Sequence, residues 1–191
     1  MCNTIKSKKN LGLLKFYTCK FTKPESFICL FNSIVKSSLM FASIIWESDV
    51  KYVNYEIEKV QNIFLRYESF KLNSPMNYNE HDYTNIRQRL NLLSLSNSRK
   101  FQNLIFLYKL FNNKIDSPEL ISLFNLYVPT RRVRNNNYIF FIPKNYFFIS
   151  SKSIVFKLSS LANSSYTFFD LFHPSFSYVT RLIRSNINNI S

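Results

Sequence analysis

The side chains that could do acid–base or metal chemistry are few in this sequence, and they lie apart. Polymerase, nuclease and phosphatase centres hold Mg²⁺ with clustered carboxylates, because the ion must be neutralised and aimed at phosphate. Here there are 11 acids in 191 residues, and no Asp-Asp pair occurs. Glu56 and Glu58 fall in a helical stretch, where a two-residue step separates them by about 200° at 100° per residue, so they cannot share a metal. Cys2, Cys19 and Cys29 form no CxxC pair, and His81 and His173 are isolated from them, so no zinc or disulfide framework follows. The serines lack the glycines of a nucleophile elbow. The sequence therefore predicts no catalytic residue, no metal and no cofactor.

What remains is binding chemistry, and it is concentrated in "VPTRRVRNNNYIFFIPKNYFF", residues 128–148. Arg131, Arg132 and Arg134 precede three asparagines and then six aromatics. Arginine forks suit phosphate, aromatic faces stack on unpaired bases, and asparagine amides reach base edges or sugar.

The composition points the same way. The 25 Lys and Arg give a formal charge of +14, and the pI is near 9.8. A field of that sign attracts phosphate whatever the fold, so nucleic acid is the leading partner. From Arg99 onward 12 basic residues face Asp116, Glu119 and Asp170, a local excess of +9. Gly12 is the sole glycine, which removes dinucleotide and P-loop sites, since these need glycine for close approach to phosphate. The apolar content is 46%, enough for a packed body rather than a disordered chain. The N-terminal apolar run is too short for a signal peptide, and no stretch reaches about 18 uninterrupted apolar residues. An intracellular protein, nuclear or cytoplasmic, with no membrane contact is the expectation.

The elements that must position these residues are mainly α-helical. Thr22-Lys23-Pro24-Glu25 reads as a capping box opening a buried helix to Trp46, itself a core candidate. Val50, Val53, Ile57, Val60, Phe64 and Tyr67 mark the clearest amphipathic helix. Residues 71–85 read as a loop. A short helix follows in "IRQRLNLLSL", then a cap at Ser96 and a helix carrying Phe101, Leu104, Ile105, Tyr108 and Phe111. Asp116-Ser117-Pro118-Glu119 offers a second capping box before "ELISLFNLY", which Pro129 ends. Residues 128–148 read as an extended or hairpin segment, and helices return near 152–162 and 175–189. We expect one domain over 1–191, comprising a helical region at 22–127, the basic segment at 128–148 and a helical tail at 149–191.

The order of segments resembles the region after the polymerase palm in Jockey-like non-LTR retrotransposon reverse transcriptases, over roughly residues 10 to 148. The residues that carry this are the Trp46 neighbourhood, "IEKVQNIFLR", "SNSRKF…FLYKLFNNKIDSPEL", and "VPTRRVRNNN" followed by "IPKNY". The sequence departs from the family at Leu39, Met40, Phe41 and Ser48, and Phe111, Asn112 and Asn113 stand where the family has Leu-Asn-Gly. Nothing like its Tyr-Ala-Asp-Asp strand is present. The resemblance implies a thumb-like helical bundle without fingers or palm, hence no RNA-directed DNA polymerase activity. It implies contact with RNA, an RNA–DNA hybrid or DNA through Arg131, Arg132 and Arg134, with Arg99, Lys100 and Lys144 in the neighbouring matched motifs. Two alternatives stand beside it: a protein-interaction module, pairing with a protein partner or with itself through an exposed apolar helix face, and a remnant without function.

Overall fold

A computed structural model describes residues 2–20, 23–46, 51–71, 83–129, 138–143 and 153–189. It is mainly α-helical, as expected. Where one domain was expected, the chain divides into two compact units, Met1–Arg99 and Lys100–Ser191. The division falls inside a helix, not at residue 127.

The first unit begins with a helix that the sequence reading left unassigned, α1 (Cys2–Tyr17). Its inward stripe is Ser7, Leu11 and Leu14, continued by Thr18, all under 5% exposed. Two of the four are hydroxyl residues, so the stripe does not stand out as apolar. The apolar segment that follows is α2 (Pro24–Leu30), a π-helical stretch (Phe31–Lys36) and α3 (Ser37–Met40). Thr22 lies outside the described residues, and Lys23 at the N-cap makes no side-chain capping bond. Proline in the first turn starts the helix without one, because its missing N–H would have had no partner there. The Ser33 hydroxyl donates to the Cys29 and Leu30 carbonyls, and that of Ser37 to Ser33. Such back-bonding bends helices.

Phe27, Phe31, Val35 and Leu39 recur every four residues along this segment and are buried to 1% or less. Residues 25–45 are long and apolar enough by composition to cross a membrane. The segment instead delivers this stripe to the core of the unit, and Ala42, at φ 52, breaks the helix before α4 (Ser43–Trp46). The side chain of Trp46 lies outside the described residues.

The helix expected from Val50 to Tyr67 is α5 (Lys51–Lys71). Ile57, Val60 and Phe64 are buried as their spacing requires, and Phe64 stacks on Phe31 with ring centroids 4.0 Å apart. Glu56 and Glu58 diverge as the 200° separation demands. Glu56 pairs with Lys8 of α1 at 2.9 Å and with Lys59 at 3.5 Å, and the bond to Lys8 holds its carboxyl below the usual range. Glu58 accepts the Ser96 N–H at 2.7 Å. Of the expected loop, 72–82 lie outside the described residues, while Thr84 and Asn85 belong to α6 (Thr84–Arg89).

The expected cap at Ser96 moves two residues back: α7 (Leu95–Phe111) has Ser94 accepting the Asn97 N–H at 3.1 Å. Ser96 is already inside the first turn, where Glu58 rather than a cap satisfies its N–H. In the second unit α8 (Pro118–Ser122) is shorter than expected and Ser117 makes no side-chain cap. It stops because the backbone of Asn125 and Tyr127 is taken by pairing elsewhere, described below. Finally, α9 (Ile154–Ser164) and α10 (Phe176–Asn186) are capped by the Ser153 and Ser175 hydroxyls, within two or three residues of the expected limits.

One buried group in α5 is not neutralised by a described partner. Glu68 is 0% exposed, and neither carboxylate oxygen has a hydrogen-bond partner among the described residues. Burial pushes its carboxyl from 4.5 to about 7, against the opposing charge of Lys71. Between those values the folded chain keeps a proton that the unfolded chain has lost, so stability falls as pH rises through the window. The variant Glu68→Met is expected to remove this dependence and to exceed the parent by ~1–3 kcal/mol above pH 7. Urea unfolding at pH 5 and pH 8, read by the hydrogen-exchange protection of the α5 amides, checks it.

Candidate nucleic-acid interface

Arg131, Arg132, Arg134 and Lys144 lie outside the described residues; the backbone on both sides of the arginines does not. Leu126 and Phe140 form an antiparallel bridge. The Tyr127 N–H donates to the Ile139 carbonyl at 3.0 Å and the Phe141 N–H to that of Asn125 at 2.8 Å. Residues 125–127, expected to end a helix, thus pair with 139–141 of the segment expected to be extended or a hairpin, and the three arginines fall between the paired residues in sequence.

Two interactions fix that base. The first is aromatic: Phe140, 1% exposed, stands 5.4 Å from Phe124 and 5.5 Å from Phe111 between ring centroids, and Phe111 meets Phe124 edge-on at 5.7 Å. The second is a polar clamp from α9. The Asn163 Oδ1 accepts both the Ile139 and the Phe140 N–H at 2.9 Å, and its Nδ2 donates to the Phe140 carbonyl at 2.9 Å. One primary amide thereby satisfies three buried backbone groups of a short strand that has no continuous neighbour. Leaving them without partners would cost on the order of 1–3 kcal/mol each.

The other sequence candidates separate. Arg99 is 1% exposed and its Nη2 donates to the Asn54 Oδ1 at 3.0 Å. A guanidinium in that position supports the first unit from within and presents no surface to a phosphate, so Arg99 is corrected from contact to core residue. Lys100 is half-exposed, in the second unit.

Sequence reasoning missed two further cations: Lys114 lies over Phe176 at 4.8 Å and over Tyr108 at 5.7 Å, and Lys109 lies over Phe176 at 5.7 Å. His173 is half-buried. Its carbonyl accepts the Tyr108 hydroxyl at 2.7 Å, its Nδ1 accepts the Ser175 N–H at 3.1 Å, and its ring stacks on Tyr178. These bonds set the entry to α10, a structural role. His81 lies outside the described residues. Cys19 and Cys29 are exposed free thiols, and among the described residues no three His, Cys, Asp or Glu gather into a metal-sized group.

No family model matches the chain, and neither a curated protein nor a solved structure matches it.

Replacing Asn163 by Ala is expected to destabilise the second unit by ~2–4 kcal/mol, since three hydrogen bonds go and two amides and a carbonyl stay buried. Hydrogen exchange of the Ile139 and Phe140 amides reads it directly. Both should exchange far faster in the variant while amides in α5 keep their protection.

Proposed function

We propose that this chain is a non-catalytic, thumb-like remnant of a Jockey-like reverse transcriptase that binds RNA or an RNA–DNA hybrid. Arg131, Arg132 and Arg134 are the principal contacts, with Lys144 and Lys100 adding charge. The observation that carries the proposal is the closed base at Leu126 and Phe140. A basic segment tied at both ends loses less entropy on binding than a free tail, so its arginine forks engage phosphate at lower cost.

A second observation supports the resemblance itself. Asn113 stands where the family motif has glycine, and its φ is 54, in the left-handed region that glycine occupies freely and asparagine tolerates best among other residues. The helix α7 ends there before the Ile115-Asp116-Ser117-Pro118 turn, so the substitution keeps the backbone that a glycine would permit.

An interaction module is the second reading, favoured by Phe41 and Ile45. They are 76% and 69% exposed on either side of the break at Ala42, and large apolar groups so placed attract protein partners.

Fluorescence anisotropy with a labelled RNA–DNA hybrid across a salt series tests the proposal. Each phosphate contact contributes about 0.7–0.9 to the log–log salt slope, so replacing Arg131, Arg132 and Arg134 with Gln should lower it by roughly 2–3. An unchanged slope and affinity would remove these arginines from the interface and leave the interaction module as the better reading.

A further inference from the structure

Within the first unit the C-terminal ends of α1 and α5 meet. The Tyr67 hydroxyl donates to the Lys15 carbonyl at 3.4 Å, and the Lys71 Nζ donates to the carbonyls of Thr18 at 2.6 Å and Cys19 at 3.2 Å. These bonds draw cations together. Lys15 and Lys71 each place their ammonium 5.3 Å from the Tyr67 ring centroid, and Arg66 is held nearby by its bond to the Tyr83 hydroxyl at 3.1 Å. Partial burial, and then the Arg66 charge, lower the Lys15 pKa below the usual lysine range. The acid whose charge acts on Lys71, Glu68, is buried and pushed to about 7, so it is about half ionised at neutrality and offsets only part of this charge.

Three large aromatics stand in water at the same end. Phe16, Tyr17 and Phe70 are 73%, 71% and 75% exposed; Phe16 meets Tyr17 edge-on, a contact that covers one face of one ring. We infer that this end of the first unit is a binding surface for single-stranded nucleic acid, with Lys15, Arg66 and Lys71 taking backbone phosphates and Phe16, Tyr17 and Phe70 stacking on bases. Converging cations beside exposed rings are the two components that such recognition requires. A duplex fits less well, because its base faces are hidden in the stack and the rings would meet nothing. A second copy fits less well too, since it carries the same +14 charge and would be repelled. The residues of this surface belong to the first unit and the arginine segment to the second.

The test uses the full chain, a labelled oligouridylate and an RNA hairpin of equal length. A variant with Phe16, Tyr17 and Phe70 all changed to Ser removes exposed groups, and unaltered Trp46 fluorescence and circular dichroism verify its fold. Single-strand affinity should drop by about tenfold or more, from the usual contribution of a stacked base, with hairpin affinity unchanged. Photo-crosslinking of the parent to the oligouridylate should label the peptide holding Phe16 and Tyr17. Equal single-strand affinity in the variant, or crosslinks confined to the second unit, would overturn the inference. So would a variant whose sole change in sedimentation and binding is lost self-association. The arginine variant is read on the hybrid, so its outcome bears on the proposed function alone.

Discussion

Twenty-five cationic side chains share this sequence with 11 acids, and the structure follows from where the surplus can be put. Glu56 is spent on Lys8 and Lys59. Other cations settle on groups that carry partial rather than full negative charge. Lys71 caps the carbonyls after α1 and sits 4.1 Å over Phe27, Lys114 rests on Phe176, and Arg99 is buried against the Asn54 amide. A ring face or a helix C-terminus holds an ammonium by roughly 0.3–2 kcal/mol. That is enough to orient the cation but leaves most of its charge to act outward. The fold accommodates the positive field without cancelling it.

The acids are correspondingly specialised. Glu58 accepts an N–H in the first turn of α7, where a carboxylate gains from the N-terminal dipole as well as from the hydrogen bond. Glu68 goes the other way. Sealed in the core with no described partner, it gives the first unit a stability that declines toward neutral pH. Losing the proton there would leave a bare buried charge, which is why burial dominates the Lys71 charge in setting its pKa.

Legibility in the sequence followed the strength of local signals. The helix α5 was plain because Ile57, Val60 and Phe64 give its inner face a regular apolar period, although Gln61, Glu68 and Ser69 are buried beside them, and α9 and α10 were found to within a few residues. In α1 the inner stripe mixes Ser7 and Thr18 with Leu11 and Leu14, so its period is diluted and no helix was assigned. The left-handed positions were hidden too: Ala42, Asn91 and Asn113 adopt φ near 50, where glycine would have announced a turn, while Gly12 is used inside a helix with open space around it. Of the extended or hairpin segment expected at 128–148, residues 139–141 pair with 125–127, which the sequence reading had placed in a helix. The clamp that holds this pairing is not legible, since Asn163 reads as one more helix residue 23 positions away from Phe140, and no local pattern encodes such a contact. The same limit applies to Arg99, because charge and motif placed it at a surface and tertiary packing placed it inside.

The clamp shows how an otherwise helical fold can hold a single antiparallel bridge. A two-residue bridge is far too short to be stable alone, as even complete hairpins are marginal in water. Here α9 supplies, through one amide, the hydrogen bonds that a third strand would have made, and Phe140 supplies the apolar anchor. Both act on the backbone or the core side of the segment, so neither constrains which side chains occupy residues 130–137. The clamp grips Ile139 and Phe140 through their backbone groups alone, so a change of side chain at Ile139 leaves its bonds in place, whereas loss of Asn163 removes all three at once.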